Sequence, residues 1–279
     1  MWRKHENRKM FFGHALLLMI PFATLYYNTG YSKPVTTTVN GAGVLYSLHD
    51  TLKAVIPDSL AAAPVIATTI TLNKHALRHA KAYIKKEEAF LQKMKDRSSS
   101  YFRTIESVFD QYDIPPQLKY LAIVESALKS NATSRVGARG LWQFMPVTAR
   151  ELGLKVSGKN DDRLHTYRST VAAAKYLHTL YAEFGDWLLV LAAYNSGPGT
   201  VIKAIKKSGT RNFWALQNFL PAESRGHVKH FLGVHYFFEG EGSIATQTKA
   251  EAKAFAERLC AEEAAMASAA AAAGTVASK

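Results

Sequence analysis

A single cysteine, Cys260, stands in a chain of 279 residues, which excludes an intrachain disulfide and a cysteine-built zinc site. Strand signal is as scarce as sulfur. No stretch of useful length alternates apolar and polar residues, so a sheet protein is excluded and an all-α body is expected. Phosphate-binding loops are missing: Gly197-Pro-Gly199 lacks the lysine and serine of a P-loop and reads as a turn before a helix. His75 and His79 stand one helical turn apart without a third ligand, so a solvated helix face outweighs a metal site, and neither metal nor cofactor is expected. Lys203, Lys206 and Lys207 come with no nucleic-acid-binding motif, which leaves them as solvated charge and sets nucleic acid aside as a partner. No pair of carboxylates is committed to one place. Asp110 and Asp113 carry no such signal, Asp161-Asp162 suit a loop, and Asp186 suits a helix N-cap.

What the chain does have is positive charge: 35 Lys and Arg against 22 Asp and Glu, a formal net charge of +13. Such a balance favours an anionic partner, whether a membrane surface or an acidic polymer such as a cell-wall glycan. The basic residues Arg3, Lys4, Arg8 and Lys9 precede an apolar run over 10–27. That order predicts a signal peptide or an N-terminal membrane anchor over 1–29, hence export to the periplasm or cell envelope. A Thr-, Pro-, Gly- and Ala-rich stretch over 30–72 reads as a flexible linker. Asn73 suits an N-cap for a long amphipathic helix to Arg97, and a helical lead-in is expected over 73–112. Further helices are predicted near 117–128, 146–153, 167–184, 187–194, 198–207, 212–219 and 222–238. They make a main domain over 113–240, followed by a peripheral Ala-rich tail over 241–279.

Within that body Glu125 draws notice. It sits in Lys119-Tyr-Leu-Ala-Ile-Val-Glu-Ser-Ala-Leu128, an otherwise apolar helix where a carboxyl loses hydration and suits general acid chemistry. The competing reading pairs it with Lys129 at i+4 on a polar stripe. Two downstream segments favour chemistry. Ser134-Arg-Val-Gly-Ala-Arg-Gly-Leu-Trp-Gln-Phe-Met-Pro146 is a glycine-punctuated loop bearing a hydroxyl, an amide and an indole. Ala192-Ala-Tyr-Asn-Ser-Gly-Pro-Gly-Thr200 ends an apolar helix with a phenol and an amide. Amides and hydroxyls suit sugar hydroxyl and acetamido groups, and flat aromatics suit the apolar faces of sugar rings.

Glu125-Ser126, then Ser134 to Gln143, then Ala193-Tyr194-Asn195 resemble, in order and spacing, the catalytic domain of the lytic murein transglycosylases. Leu141 to Met145, Phe184-Gly-Asp-Trp187 and Leu220-Pro-Ala-Glu-Ser-Arg225 are similar to the membrane-bound D-type branch. The likeness runs from about residue 85 to 236, with its strict core over 117–236. It implies a lysozyme-like catalytic lobe with no cofactor, acting on peptidoglycan glycan strands. It implies Glu125 as the single acid/base, Ser134 as a hydroxyl near the substrate acetamido group, Gln143 as a cleft amide, and Tyr194 and Asn195 as groups lining the site. Gly137, Gly140 and Gly197 look structural. The chain departs from the family at His227, where these enzymes usually carry tyrosine; a hydrogen bond to substrate remains open to the imidazole, with a charge that depends on pH. The stretch after Gly242 shows no LysM repeat of the kind common in the D-type branch.

A single carboxylate is consistent with that resemblance. Hydrolytic glycosidases generally use two. The family chemistry uses one, which protonates the bridging oxygen and then deprotonates the sugar's own 6-hydroxyl, closing a 1,6-anhydro ring without water. Two alternatives stay open at this point: a catalytically idle peptidoglycan-binding or scaffold protein, and a hydrolytic muramidase of goose-lysozyme type.

Overall fold

The computed structural model describes residues 69–158 and 160–276. The expected leader over 1–29 and the linker up to residue 68 lie outside the described residues. Residues 69–260 belong to one compact helical unit. Among the described residues no helix is long and apolar enough to cross a membrane.

The first helix, α1 (Lys74–Arg97), starts where the sequence signals it. The Asn73 side chain accepts from the N–H groups of His75 and Ala76, and Lys95 and Arg97 stand in the last turn, where they suit the helix dipole. Ala76, Ala80, Leu91 and Met94 form its buried stripe. Next, α2 (Ser99–Asp110) buries Ile105, Val108 and Phe109 as the periodicity predicts. The expected helix over 117–128 is different in kind. Pro116–Tyr120 is a 3-10 turn, and the α-helical part, α3, covers only Leu121–Ser126. It stops because Ala127 and Leu128 take left-handed φ values of 51° and 57°. Arg97 Nη2 donates to the Leu128 carbonyl at 3.0 Å and holds the reversed chain. Lys129 is therefore not one turn beyond Glu125, and the i,i+4 ion pair does not form.

After α4 (Pro146–Glu151) comes the one strand pair among the described residues, β1 (Val156–Ser157) against β2 (Asn160–Asp161). The remainder is α5 (Thr166–Phe184), α6 (Trp187–Ser196), α7 (Pro198–Ser208), α8 (Phe213–Leu216), α9 (Ala222–Glu239) and α10 (Lys249–Val276). Trp187 to Ala193 are all buried, so α6 is apolar on every side and forms the centre of the unit. α5, α7 and α9 pack around it, α2 lies on α5, and α1 crosses α9. Gly233 allows that crossing: a Cβ there would come 2.4 Å from Tyr83 Cδ1 and 2.9 Å from its Cβ.

Residues just past 240 do more than a peripheral tail would. Ala245, Thr246 and Thr248 are buried. Lys249 N–H donates to Asp186 Oδ2 at 2.7 Å, while Asp186 Oδ1 caps α6 through Leu188 and Leu189. One carboxylate thus starts two helices. From Ala261 onward α10 is alanine-rich and belongs to a separate unit.

Candidate active site

Glu125 occupies the last turn of α3, half-buried, with a side chain 13% exposed. Facing it is His227 on α9, whose Nε2 lies 2.8 Å from Glu125 Oε1 and whose side chain is 7% exposed. The other ring nitrogen, Nδ1, is buried without a hydrogen-bond partner. Three contacts set this pairing. α3 packs on α9. Ser224, one turn before His227, donates to Asn195 Oδ1 at 2.9 Å and pins the start of α9 to the end of α6. Tyr194, the preceding residue on α6, is close enough to feel the Glu125 charge: burial first, then Glu125 and Tyr176, push its phenol well above the ordinary range. Tyr194 therefore stays a neutral hydrogen-bond donor.

The glycine-punctuated loop is held from inside. Ser134 and Ala138 exchange hydrogen bonds, Ser134 N–H to Ala138 O at 2.8 Å and Ala138 N–H to Ser134 Oγ at 2.9 Å. Gln143, at a left-handed φ of 49°, donates from Nε2 to the Gly140 carbonyl at 2.7 Å. Tyr194 Oη donates to the Trp142 carbonyl at 2.9 Å, and Trp142 Nε1 donates to Thr170 Oγ1 at 3.0 Å. Residues 134–144 are thereby bound to both α6 and α5. Gly137, Gly140 and Gly197 all take positive φ.

Residues 104–217 match a family model described as the Transglycosylase SLT domain. That segment of the chain is similar to this domain. It is 37% identical over 163 residues to the membrane-bound lytic murein transglycosylase D of Escherichia coli (strain K12), which is 57% of this chain and 36% of that protein. It is 32% identical over 132 residues to the soluble lytic murein transglycosylase of the same strain, 44% of this chain and 20% of that one. Among solved structures, the 70-kDa soluble lytic transglycosylase of E. coli aligns with a TM-score of 0.44 at 28% identity, over 52% of this chain and 26% of that chain. The chain thus spans about a third of the membrane-bound relative's length.

Of the six site residues read from the sequence, Glu125 and His227 are in direct contact, and Tyr194 stands beside them. Asn195 anchors α9 through its carbonyl oxygen. Ser134 and Gln143 shape the glycine-punctuated loop through the hydrogen bonds given above. The sequence reading missed Arg163. It is buried, donates to the carbonyls of Gly137 and Phe144 at 2.8 and 2.9 Å, and forks onto Asp161 at 2.9 and 2.7 Å. An isolated basic residue after two aspartates looks like solvated charge, so no pattern in the sequence signals its burial. Among the described residues no group of three or more His, Cys, Asp or Glu is placed to hold a metal ion.

One glycine in this loop admits a sharp test. A Cβ on Gly140, where φ is 83°, would lie 1.8 Å from the Arg163 carbonyl oxygen, whereas one on Gly137 meets nothing within 4 Å. Gly137→Ala should cost only left-handed strain, about 1–2 kcal/mol. Gly140→Ala adds a backbone clash and should cost roughly 3 kcal/mol or more. Urea titration of the two variants checks the order; equal losses would show that the loop is free to shift.

Proposed function

We propose that this chain is an exported lytic transglycosylase. It cleaves the β-1,4 bond between N-acetylmuramic acid and N-acetylglucosamine in peptidoglycan and leaves 1,6-anhydromuramic ends. The observation that carries the reading is Glu125, a half-buried carboxyl with an imidazole nitrogen at 2.8 Å, beside a phenol that burial keeps neutral. Three of the other carboxylates weighed in the sequence, Asp161, Asp162 and Asp186, are engaged in structure. Asp161 holds Arg163 and Arg139, Asp162 holds Arg168 and the Lys155 N–H, and Asp186 caps α6. A two-carboxylate hydrolysis has no second partner among them.

The steps follow from one group acting twice. Protonated Glu125 delivers its proton to the bridging oxygen as the C1–O bond breaks, with assistance from the substrate's N-acetyl oxygen. The resulting carboxylate takes the proton of the 6-hydroxyl, and O6 closes on C1. No water is consumed. Nucleophile and electrophile sit in one sugar ring, which turns a bimolecular step into a unimolecular one. Ser134 and Gln143 would meet the acetamido and hydroxyl groups, with Tyr194 and Asn195 lining the cleft. The segment 1–29 would carry the chain to the envelope and anchor it at the inner membrane.

Digestion of purified peptidoglycan followed by mass spectrometry tests this reading. Anhydro-muropeptides are expected. Products heavier by one water would mean a muramidase, and intact sacculi would mean a binding protein.

A further inference from the structure

We propose that His227 is the positioning residue of the general acid. As a neutral ring it donates its Nε2–H to Glu125 Oε1 and leaves the transferable proton on the other carboxyl oxygen, facing the substrate. The inference rests on the acid/base reading of Glu125 and goes beyond it, since it assigns the tautomer of a second residue and the atom that carries the proton.

The geometry narrows the choices to one. His227 Nε2 and Glu125 Oε1 lie 2.8 Å apart, so a hydrogen bond joins them whichever side donates. Three arrangements are conceivable. The ring donates from Nε2 and bears a lone pair on Nδ1; the ring accepts at Nε2 and bears its N–H on Nδ1; or the ring is an imidazolium with both. The second and third place an N–H on Nδ1, which is buried with no partner. An orphaned buried donor is costly, and a bare aromatic lone pair in the same place is less so. The first arrangement therefore prevails. In it Oε1 is occupied as an acceptor, which leaves Oε2 to carry the transferable proton. Ring protonation would convert Glu125 into an ion-paired carboxylate and take the acid out of service.

Tyr194 from α6 faces Glu125, with Tyr176 from α5 behind it. On α9 itself Glu223 stands one turn before His227 and His230 one turn after it. Protonation of His230 is disfavoured by burial first, then by His227 and by Lys86 of α1, with Glu87 opposing. Tyr83 of α1 covers the His230 ring at 5.0 Å.

Two measurements on the full chain test this. Nitrogen NMR of histidine-labelled protein reads the ring directly: at neutral pH, His227 should be neutral with its proton on Nε2. A proton on Nδ1, or an imidazolium, overturns the proposal whatever the activity. The second is the kcat and KM of muropeptide release. His227→Gln keeps a donor amide near the Nε2 position and should retain measurable activity. His227→Phe removes the donor and should fall a further ten- to hundredfold in kcat with KM near the parent's, roughly the rate equivalent of one hydrogen bond to the carboxylate that forms as the proton leaves. Two variants with equal rates would reduce His227 to a packing residue. Hydrated products from the parent would instead overturn the transglycosylase reading, with the tautomer measurement still deciding the pair.

Discussion

Glu125→Gln should leave a folded protein that barely releases muropeptides. The amide keeps size and, through Oε1, can still accept from His227 Nε2, which lies 2.8 Å from that position in the parent. What it removes is the proton. General acid–base transfer contributes a factor of roughly 100 to 10,000, and in the proposed mechanism one residue acts in both directions, so the loss should reach at least that range. Melting temperature should hold or rise slightly, because a half-buried ionisable group becomes a neutral amide. A structural Glu125 predicts the reverse, with lower stability and near-parental turnover. Measuring both on one preparation separates the two, and parental turnover in the variant would end the catalytic assignment.

The sequence pointed to the candidate acid and not to its partner's geometry. Helix positions were legible because periodicity and end signals agree: Asn73 caps α1, Asp186 caps α6, and glycines with positive φ follow α5 and α7. The end of α3 was not legible. Ala127 and Leu128 are ordinary helix formers by propensity, and a tertiary hydrogen bond from Arg97, 31 residues away, holds Leu128 in the left-handed region. Long-range hydrogen bonds leave no local pattern. The same limit hid the role of Asn195, whose side chain is bound to Ser224, 29 residues on. His227 was found because it interrupts a resembled motif, while its contact with Glu125 spans 102 residues and needed the packed helices to appear.

Arg163→Met should be strongly destabilising. The Arg163 and Asp161 side chains are each 5% exposed. Methionine keeps an apolar stem of similar length but leaves the carbonyls of Gly137 and Phe144 without this donor, and Asp161 with the Arg139 guanidinium at 3.0 Å and the backbone N–H of residue 163 at 3.2 Å. Breaking a buried pair by removing one partner costs about 3–5 kcal/mol; the surviving Arg139 contact argues for the lower part of that range. The loop over 134–144 should loosen with it, so muropeptide release should fall even though no group that touches the sugar has changed. Acid supplies an independent check. Hydrogen bonds from Arg163, foremost, hold the Asp161 carboxyl below its ordinary 3.8, against burial that raises it. A folded value below the unfolded one stabilises the protein above the ordinary carboxylate range, and that contribution disappears as pH falls through the folded value. Urea titrations from about pH 6 down to pH 3 should therefore show a stability loss in the parent that Arg163→Met largely lacks. Adding Asp161→Asn to Arg163→Met should recover the cost of the stranded carboxylate but not that of the hydrogen bonds lost at the Gly137 and Phe144 carbonyls, of which Phe144 keeps the Arg139 N–H at 3.1 Å. Full recovery would mean that the fork to Asp161, and not the hold on the loop, is what Arg163 contributes.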